Sequence, residues 1–265
     1  DRSASFFGAL TYTLCDKYVF NLNARFDGAD IIGTDNRFTP LWSASFRWNA
    51  MRENFLKDVN FISDLAIRLS YGYTGNIDRS SYPIPMIFLS GYRYDENFVA
   101  ESVTFPNPNI KWERKQDRNF GLDFGFWDNR IGGSFNYYWN TGKDLLGTMT
   151  TPESYGRTSI KANVSSIENT GWEFNVNLRL DLGANVRWIN SFNIAQNTNK
   201  IKKTYLKDLN ELNVMGGSDN IEGYASGSMF GYRFAGVNPL TGQAMIYLTD
   251  ESRKILADYR GVDIS

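Results

Sequence analysis

The chain of 265 residues has no histidine and a single cysteine, Cys15. That removes Ser–His–Asp and Cys–His catalysis, imidazole metal sites and intrachain disulfides together. A net charge of −1, with no block of basic residues, offers no electrostatic footprint for nucleic acid, and no run approaches the ~20 apolar residues of a membrane helix.

The recurrent signal is alternation. Residues 3–13 and 17–27 alternate first; in the second, KYVFNLNARFD, Tyr18, Phe20, Leu22, Ala24 and Phe26 share one face, while Asn21, Asn23, Arg25 and Asp27 share the other. Further alternating runs fall at 41–50, 64–74, 118–126, 131–143, 171–181 and 186–197. All seven prolines are predicted to lie outside these runs, because proline cannot donate to a strand ladder. Asn190 breaks the apolar parity of Val186, Trp188, Phe192 and Ile194, which predicts a bulge or a local slip there.

The links alternate in length. Residues 14–16, 127–130 and 182–185 read as tight hairpins and 51–63 as a longer turn; 28–40, 75–117, 144–170 and everything after 198 read as long irregular links. Strands of about 9–11 residues with short turns at one rim and long loops at the other form the pattern of an outer-membrane barrel. Tryptophans mark both rims. Trp48, Trp127 and Trp188 fall at the short-turn rim, and Trp42, Trp112, Trp139 and Trp172 at the long-loop rim, as in the girdles at membrane–water interfaces. The fold class expected is therefore all-β, an antiparallel transmembrane β-barrel segment whose apolar wall faces lipid. Arg25, Asp27, Arg47, Asp64, Arg68, Asp123, Glu173, Arg179 and Arg187 are expected on the wet wall. The segments DRSASFFG at the start and ADYRGVDIS at the end read as cuts within a longer protein.

Specific blocks extend this reading. ISDLAIRLSYGYTGN at 62–76 and NPNIKWERKQDRNFGLDFGFWDNRIGGSFNYYWNTGKDLL at 107–146 resemble the SusC/RagA-type TonB-dependent outer-membrane transporters. So do RFDG at 25–28, NRF at 36–38, NVSSIENTG at 163–171, FNIAQNTNKI at 192–201 and EGYASGSMFGYRFAGVNPLTG at 222–242. Trp42 and the pair Ala29–Asp30 depart from the family pattern, at rim positions.

The resemblance implies that residues 1–265 carry part of a barrel of about 22 strands, with the plug domain and closing strands outside this chain. It implies no enzyme and no cofactor. It also implies TonB-driven import of oligosaccharides or peptides across the outer membrane of a Gram-negative bacterium, with a SusD-like lipoprotein as extracellular lid. The TonB complex would engage parts absent here. Rival readings are a soluble carbohydrate-binding β-domain and a passive pore.

Candidate substrate or lid contacts are Tyr92, Tyr94, Phe98, Tyr155 and Tyr224, loop aromatics able to stack on sugars or pack under a lid. Candidate membrane-girdle residues are Trp42, Trp48, Trp127, Trp139, Trp172 and Trp188. The loop 27–36, with Asp27, Asp30 and Asp35, holds clustered oxygens of the kind calcium uses, but in no EF-hand spacing, and a solvated turn is the preferred reading.

Overall fold

A computed structural model describes residues 2–30, 32, 37–78, 86–95, 97–104, 107, 109–152, 154, 159–183, 186–205 and 220–247. The strands, in chain order, are β1 (Ser3–Leu14), β2 (Tyr18–Ala29), β3 (Phe38–Asn49), β4 (Ile62–Asn76), β5 (Met86–Tyr94), β6 (Asn97–Thr104), β7 (Glu113–Phe126), β8 (Ile131–Thr150), β9 (Ser159–Asp181), β10 (Arg187–Lys203), β11 (Phe234–Val237) and β12 (Ala244–Ile246). Eight form one antiparallel sheet in the order β1-β2-β3-β4-β7-β8-β9-β10. Each is one of the eight alternating runs, paired with its neighbour in sequence. Only the β5–β6 hairpin interrupts the succession.

Register carries the alternation from strand to strand. Phe20 stands opposite Tyr12 on β1 and Phe46 on β3; Phe46 faces Leu69, Leu69 faces Phe120, and Phe120 faces Tyr137. Tyr137 faces Trp172 on β9, whose neighbour Phe174 faces Ile194. One apolar wall thus runs across all eight strands, because a period-two pattern kept in register puts every apolar set on the same side. Rings touch along it, Phe20 to Phe46 at 5.0 Å and Phe124 to Phe174 at 6.1 Å between centroids.

No second layer covers this wall among the described residues of the sheet's own unit. The extensive contacts of each strand are with its hydrogen-bonded neighbours. Phe6, Leu10, Leu22 and Phe192 remain 69%, 63%, 49% and 59% exposed, far more contiguous apolar surface than a soluble sheet leaves bare.

Four expectations require correction. Pro40 lies inside β3, opposite Phe26. β3 pairs with β4 only from Ser43 onward, so at Pro40 one side of the strand is open and the missing N–H breaks no ladder. The expected irregular link at 144–170 is largely strand, since β8 runs to Thr150 and β9 begins at Ser159. The register shifts between Gly142 and Leu146 break the period-two pattern there and hide the strand from an apolar–polar reading. Asn190 sits in regular register opposite Leu178, and the shift in β10 comes later, between Ile201 and Lys203. Trp112 is buried at 8% against Ala29 and Ile32, with Ile77 packed alongside, and so belongs to a small core instead of a girdle.

The turns at the short rim have identifiable causes. Cys15 and Asp16 both take positive φ (51° and 55°), as do Trp127, Asp128 and Asn129, the twist that two closely paired strands require of their connection. The 50–61 link begins with a short 3₁₀ turn, Ala50–Arg52. Just beyond it Glu53 gathers three donors: Lys17 Nζ at 2.8 Å, Tyr18 Oη at 2.6 Å and Trp48 Nε1 at 3.3 Å.

The hydrogen bonds from Lys17 and then Tyr18 hold the Glu53 carboxyl at about 2, against an ordinary 4.5, with burial working the other way. A depressed carboxyl pKa stabilises the fold above pH 4.5 and loses that contribution as pH falls towards 2. Thermal scans of the full-length protein in detergent across that window should therefore show a steeper fall in Tm than the same scans of Glu53→Gln. Parallel curves would remove Glu53 from the acid response.

A second unit, described through residues 227–247, contains the β11–β12 hairpin. Its turn is organised by Asn238, whose Oδ1 accepts from the N–H groups of Leu240 (2.9 Å) and Thr241 (3.3 Å).

Candidate polar face and loop rim

The face opposite the apolar wall carries the wet residues in continuous rows. Thr11 donates to Asn21 (2.9 Å) and Asn21 to Ser45 (3.1 Å); farther along, Asn119 donates to Ser70 (3.2 Å) and Ser191 to Asn177 (2.7 Å). At its centre Asp123 of β7 receives two arginines. Arg68 of β4 donates from Nε and Nη2 to both carboxylate oxygens (2.9 and 2.7 Å), and Arg47 of β3 adds a third bond at 3.0 Å. Arg68 also reaches Asn136 Oδ1 at 3.0 Å. It can lie flat because Gly121 stands beneath it: a Cβ at that position would come within 2.9 Å of the guanidinium carbon. The cluster ties four strands, β3, β4, β7 and β8, and leaves one positive charge in excess.

At the loop end the strands outrun the apolar band. β8 bulges between Gly142 and Leu146, with Asp144 in positive φ (55°). Arg114 holds Asp144 through Nε and Nη2 (3.1 and 2.7 Å). Asn163 of β9 then acts as a backbone surrogate, accepting from Lys111 N–H (2.8 Å) and donating to Lys111 C=O (2.9 Å) and Asp144 C=O (2.6 Å). The segment leading into β7 is thereby fastened to the bulge. In the sequence Asn163 is marked by nothing except its place in the NVSSIENTG block.

A concavity of about 740 Å³ opens where β3 and β4 part above Ser43 and Gly72, lined by Ser5, Asn23, Arg25, Ser43, Asn76 and Trp112 among others. Asp27, which borders it, is 6% exposed and bound to Arg25 Nε at 2.6 Å. Its carboxylate is thus committed to a guanidinium, Asp30 is exposed, and Asp35 lies outside the described residues. No group of three or more metal-binding side chains occurs among the described residues.

The loop aromatics are only partly brought together. Tyr92, Tyr94 and Phe98 share the β5–β6 hairpin and are 81%, 79% and 60% exposed. Arg93 pairs with Phe98 and its guanidinium lies 4.7 Å from that ring, which puts Phe98 on the face opposite Tyr92 and Tyr94. Tyr224 is placed by its backbone: its C=O accepts from Ile201 N–H (2.8 Å), and Ile201 C=O accepts from Gly223 N–H (2.9 Å), so residues 221–226 cover the loop end of β10. Tyr155 lies outside the described residues.

Among the tryptophans, Trp42, Trp48, Trp139, Trp172 and Trp188 occupy the apolar parity and Trp127 the adjoining turn. Trp188 faces Leu180, and Trp172 lies eight residues along the same strand β9, about 26 Å apart. A tilt of about 40° reduces that to about 20 Å, close to the apolar band of about 25 Å in membrane barrels.

A one-layer antiparallel sheet with neighbouring strands in sequence order, short turns at one end, a bare apolar face and a hydrogen-bonded polar face defines the wall of a transmembrane β-barrel. The chain belongs to the TonB dependent receptor-like, beta-barrel family, whose model matches residues 1–259. It is 36% identical over 245 residues to TonB-dependent receptor P3 of Formosa agariphila, covering 88% of this chain and 24% of that protein. To TonB-dependent receptor SusC of Bacteroides thetaiotaomicron it is 35% identical over 207 residues, 75% of this chain and 21% of that one. Among solved structures it is similar to the RagAB peptide importer in its closed-closed state, with a TM-score of 0.83 and 25% identity over 94% of this chain and 27% of that one. The chain thus spans about a quarter of the length of these relatives.

Proposed function

We propose that this chain is part of the barrel of an energised outer-membrane importer in a Gram-negative bacterium, taking up oligosaccharides or peptides. The observation that carries the reading is the pairing of a bare apolar wall with a polar face in strict register, in a chain of the TonB-dependent receptor family. The polar face lines the passage, the extended β8 and β9 raise the rim above the membrane, and the apolar wall with Trp42, Trp48, Trp127, Trp139, Trp172 and Trp188 meets lipid and its two interfaces. A plug domain and the closing strands complete the barrel in the whole protein, and TonB supplies energy through that plug.

The loop rim receives a SusD-like lipoprotein as lid. The exposed hairpin of Tyr92, Tyr94 and Phe98 and the ring of Tyr224 support a role for that rim in lid or substrate contact, with Tyr155 as a further loop candidate. One of the similar structures is named a peptide importer and a relative is named SusC, and oligosaccharides and peptides are both candidate cargo.

The test is uptake by cells bearing the full-length receptor, using fluorescent oligosaccharide and peptide pools. Uptake of one pool should vanish when either the receptor or TonB is deleted, and fall several-fold when Tyr92, Tyr94 and Phe98 are all replaced by serine. Uptake that persists without TonB would point to a passive pore and overturn the energised reading.

A further inference from the structure

Arg118 is a cation on the apolar side of the sheet, next to the aromatic band. It shares parity with Phe120, Leu122 and Phe124 on β7, and across the ladder it faces Tyr71, which belongs to the apolar wall. Among the described residues it makes no ion pair; its guanidinium lies 4.6 Å from the ring centre of Trp139. That stacking holds the charge at a fixed place at the loop end of the wall. Lys143, the cross-strand partner of Arg114, and Lys200, the partner of Glu168, share the same parity farther toward the loops, and both are exposed.

Beside Arg118 the wall carries a local depression. A groove of about 640 Å³ crosses five strand boundaries, lined by Leu10, Phe20, Phe46, Leu69, Phe120 and Trp139 with a few neighbours, and Arg118 is its one charged lining residue. An apolar trough ending in a single oriented guanidinium is complementary to an amphiphile whose anionic group sits immediately above its hydrocarbon. The fork of donors on arginine matches phosphate oxygens, and its weaker hydration suits a site half out of water.

We infer that this groove binds a phosphorylated acyl glycolipid of the outer leaflet, its acyl chains along Leu10, Phe20, Phe46, Leu69 and Phe120 and a phosphate on Arg118. The inference rests on the membrane-barrel reading above, which places the long-loop end of the wall at the outer leaflet. Lys143 and Lys200 extend the positive field toward the remaining headgroup charge. The lipid then serves as a fixed collar on the β1–β8 part of the wall, under the strands that carry the loop rim.

The test titrates the full-length receptor in dodecyl maltoside with phosphorylated lipid A, with the same lipid after enzymatic dephosphorylation, and with inorganic phosphate, counting retained lipid by native mass spectrometry. Arg118→Gln should weaken binding of the phosphorylated lipid about tenfold, the loss of one charge-assisted contact, and Arg118→Lys should fall between the two. Dephosphorylated lipid should bind all three proteins as weakly as the phosphorylated lipid binds Arg118→Gln, and millimolar inorganic phosphate should not compete. Heat-modifiable migration on gels confirms that each variant is folded.

Equal affinity of wild type and Arg118→Gln for the phosphorylated lipid overturns the proposal, as does indifference to dephosphorylation. Displacement by inorganic phosphate overturns it too, making Arg118 a free-anion site. If the receptor stays monodisperse without detergent and retains neither lipid, the membrane reading falls with it. If it needs detergent and binds both lipids alike, only the lipid site falls.

Discussion

Phe174→Arg in the full-length receptor should lower the free energy of folding into lipid vesicles by about 2–4 kcal/mol, whereas Asn175→Arg, one residue along the same strand, should change it by less than about 0.5 kcal/mol. Phe174 lies between Phe135 of β8 and Ile194 of β10 on the apolar wall; Asn175 pairs with Ser134 and Asn193 on the polar side. Both sites share a strand, a depth and the same neighbours in sequence, so propensity and local backbone cancel in the comparison. What differs is the medium: hydrocarbon cannot solvate a guanidinium, and the polar face offers side chains and water. Reversible unfolding in urea from vesicles measures both values. Equal penalties at the two positions would mean that lipid does not lie against Phe174.

Asp123→Ala should destabilise the same protein by about 2 kcal/mol, measured in the same unfolding experiment. The carboxylate accepts three hydrogen bonds from two arginines, and removing it leaves Arg47 and Arg68 facing each other without an anion. The cost stays below that of a fully buried pair because the arginine side chains are 38% and 40% exposed and so partly screened. Adding Arg47→Ala should recover part of the loss by removing one of the two repelling charges, and Asp123→Asn should cost less than alanine because its carbonyl still accepts. A double variant no better than Asp123→Ala would show that the cluster acts through packing alone.

The registered wall explains why so much was legible beforehand. In a sheet whose two faces meet different media, each side chain's solvent is dictated by its parity, and the chain must alternate or lose the fold. Every one of the eight alternating runs is a strand, in sequence order, with tight turns where 14–16 and 127–130 were expected; the expected turn at 182–185 lies partly outside the described residues. Local chemistry also sufficed for the turns and for the outward tryptophans of β3, β8, β9 and β10. Where the register shifts, the signal ends: the irregularity between Gly142 and Leu146 breaks the period of two, and the loop halves of β8 and β9 read as coil.

The bonds that hold these extended strands come from distant residues. Asn163 reaches Lys111, and Glu113 accepts from Leu146 N–H at 2.8 Å, contacts between segments tens of residues apart. Trp112 reads as another rim tryptophan until Ala29 and Ile32 are seen packed against it.

By itself the amino-acid sequence determined the architecture, the polarity of its two faces and the family, because a period of two is a local property that each strand carries alone. Tertiary structure decided which charges meet at Asp123, which tryptophan is core, and that Arg118 closes an apolar groove. Those depend on register between strands, and register is a relation that no single segment contains.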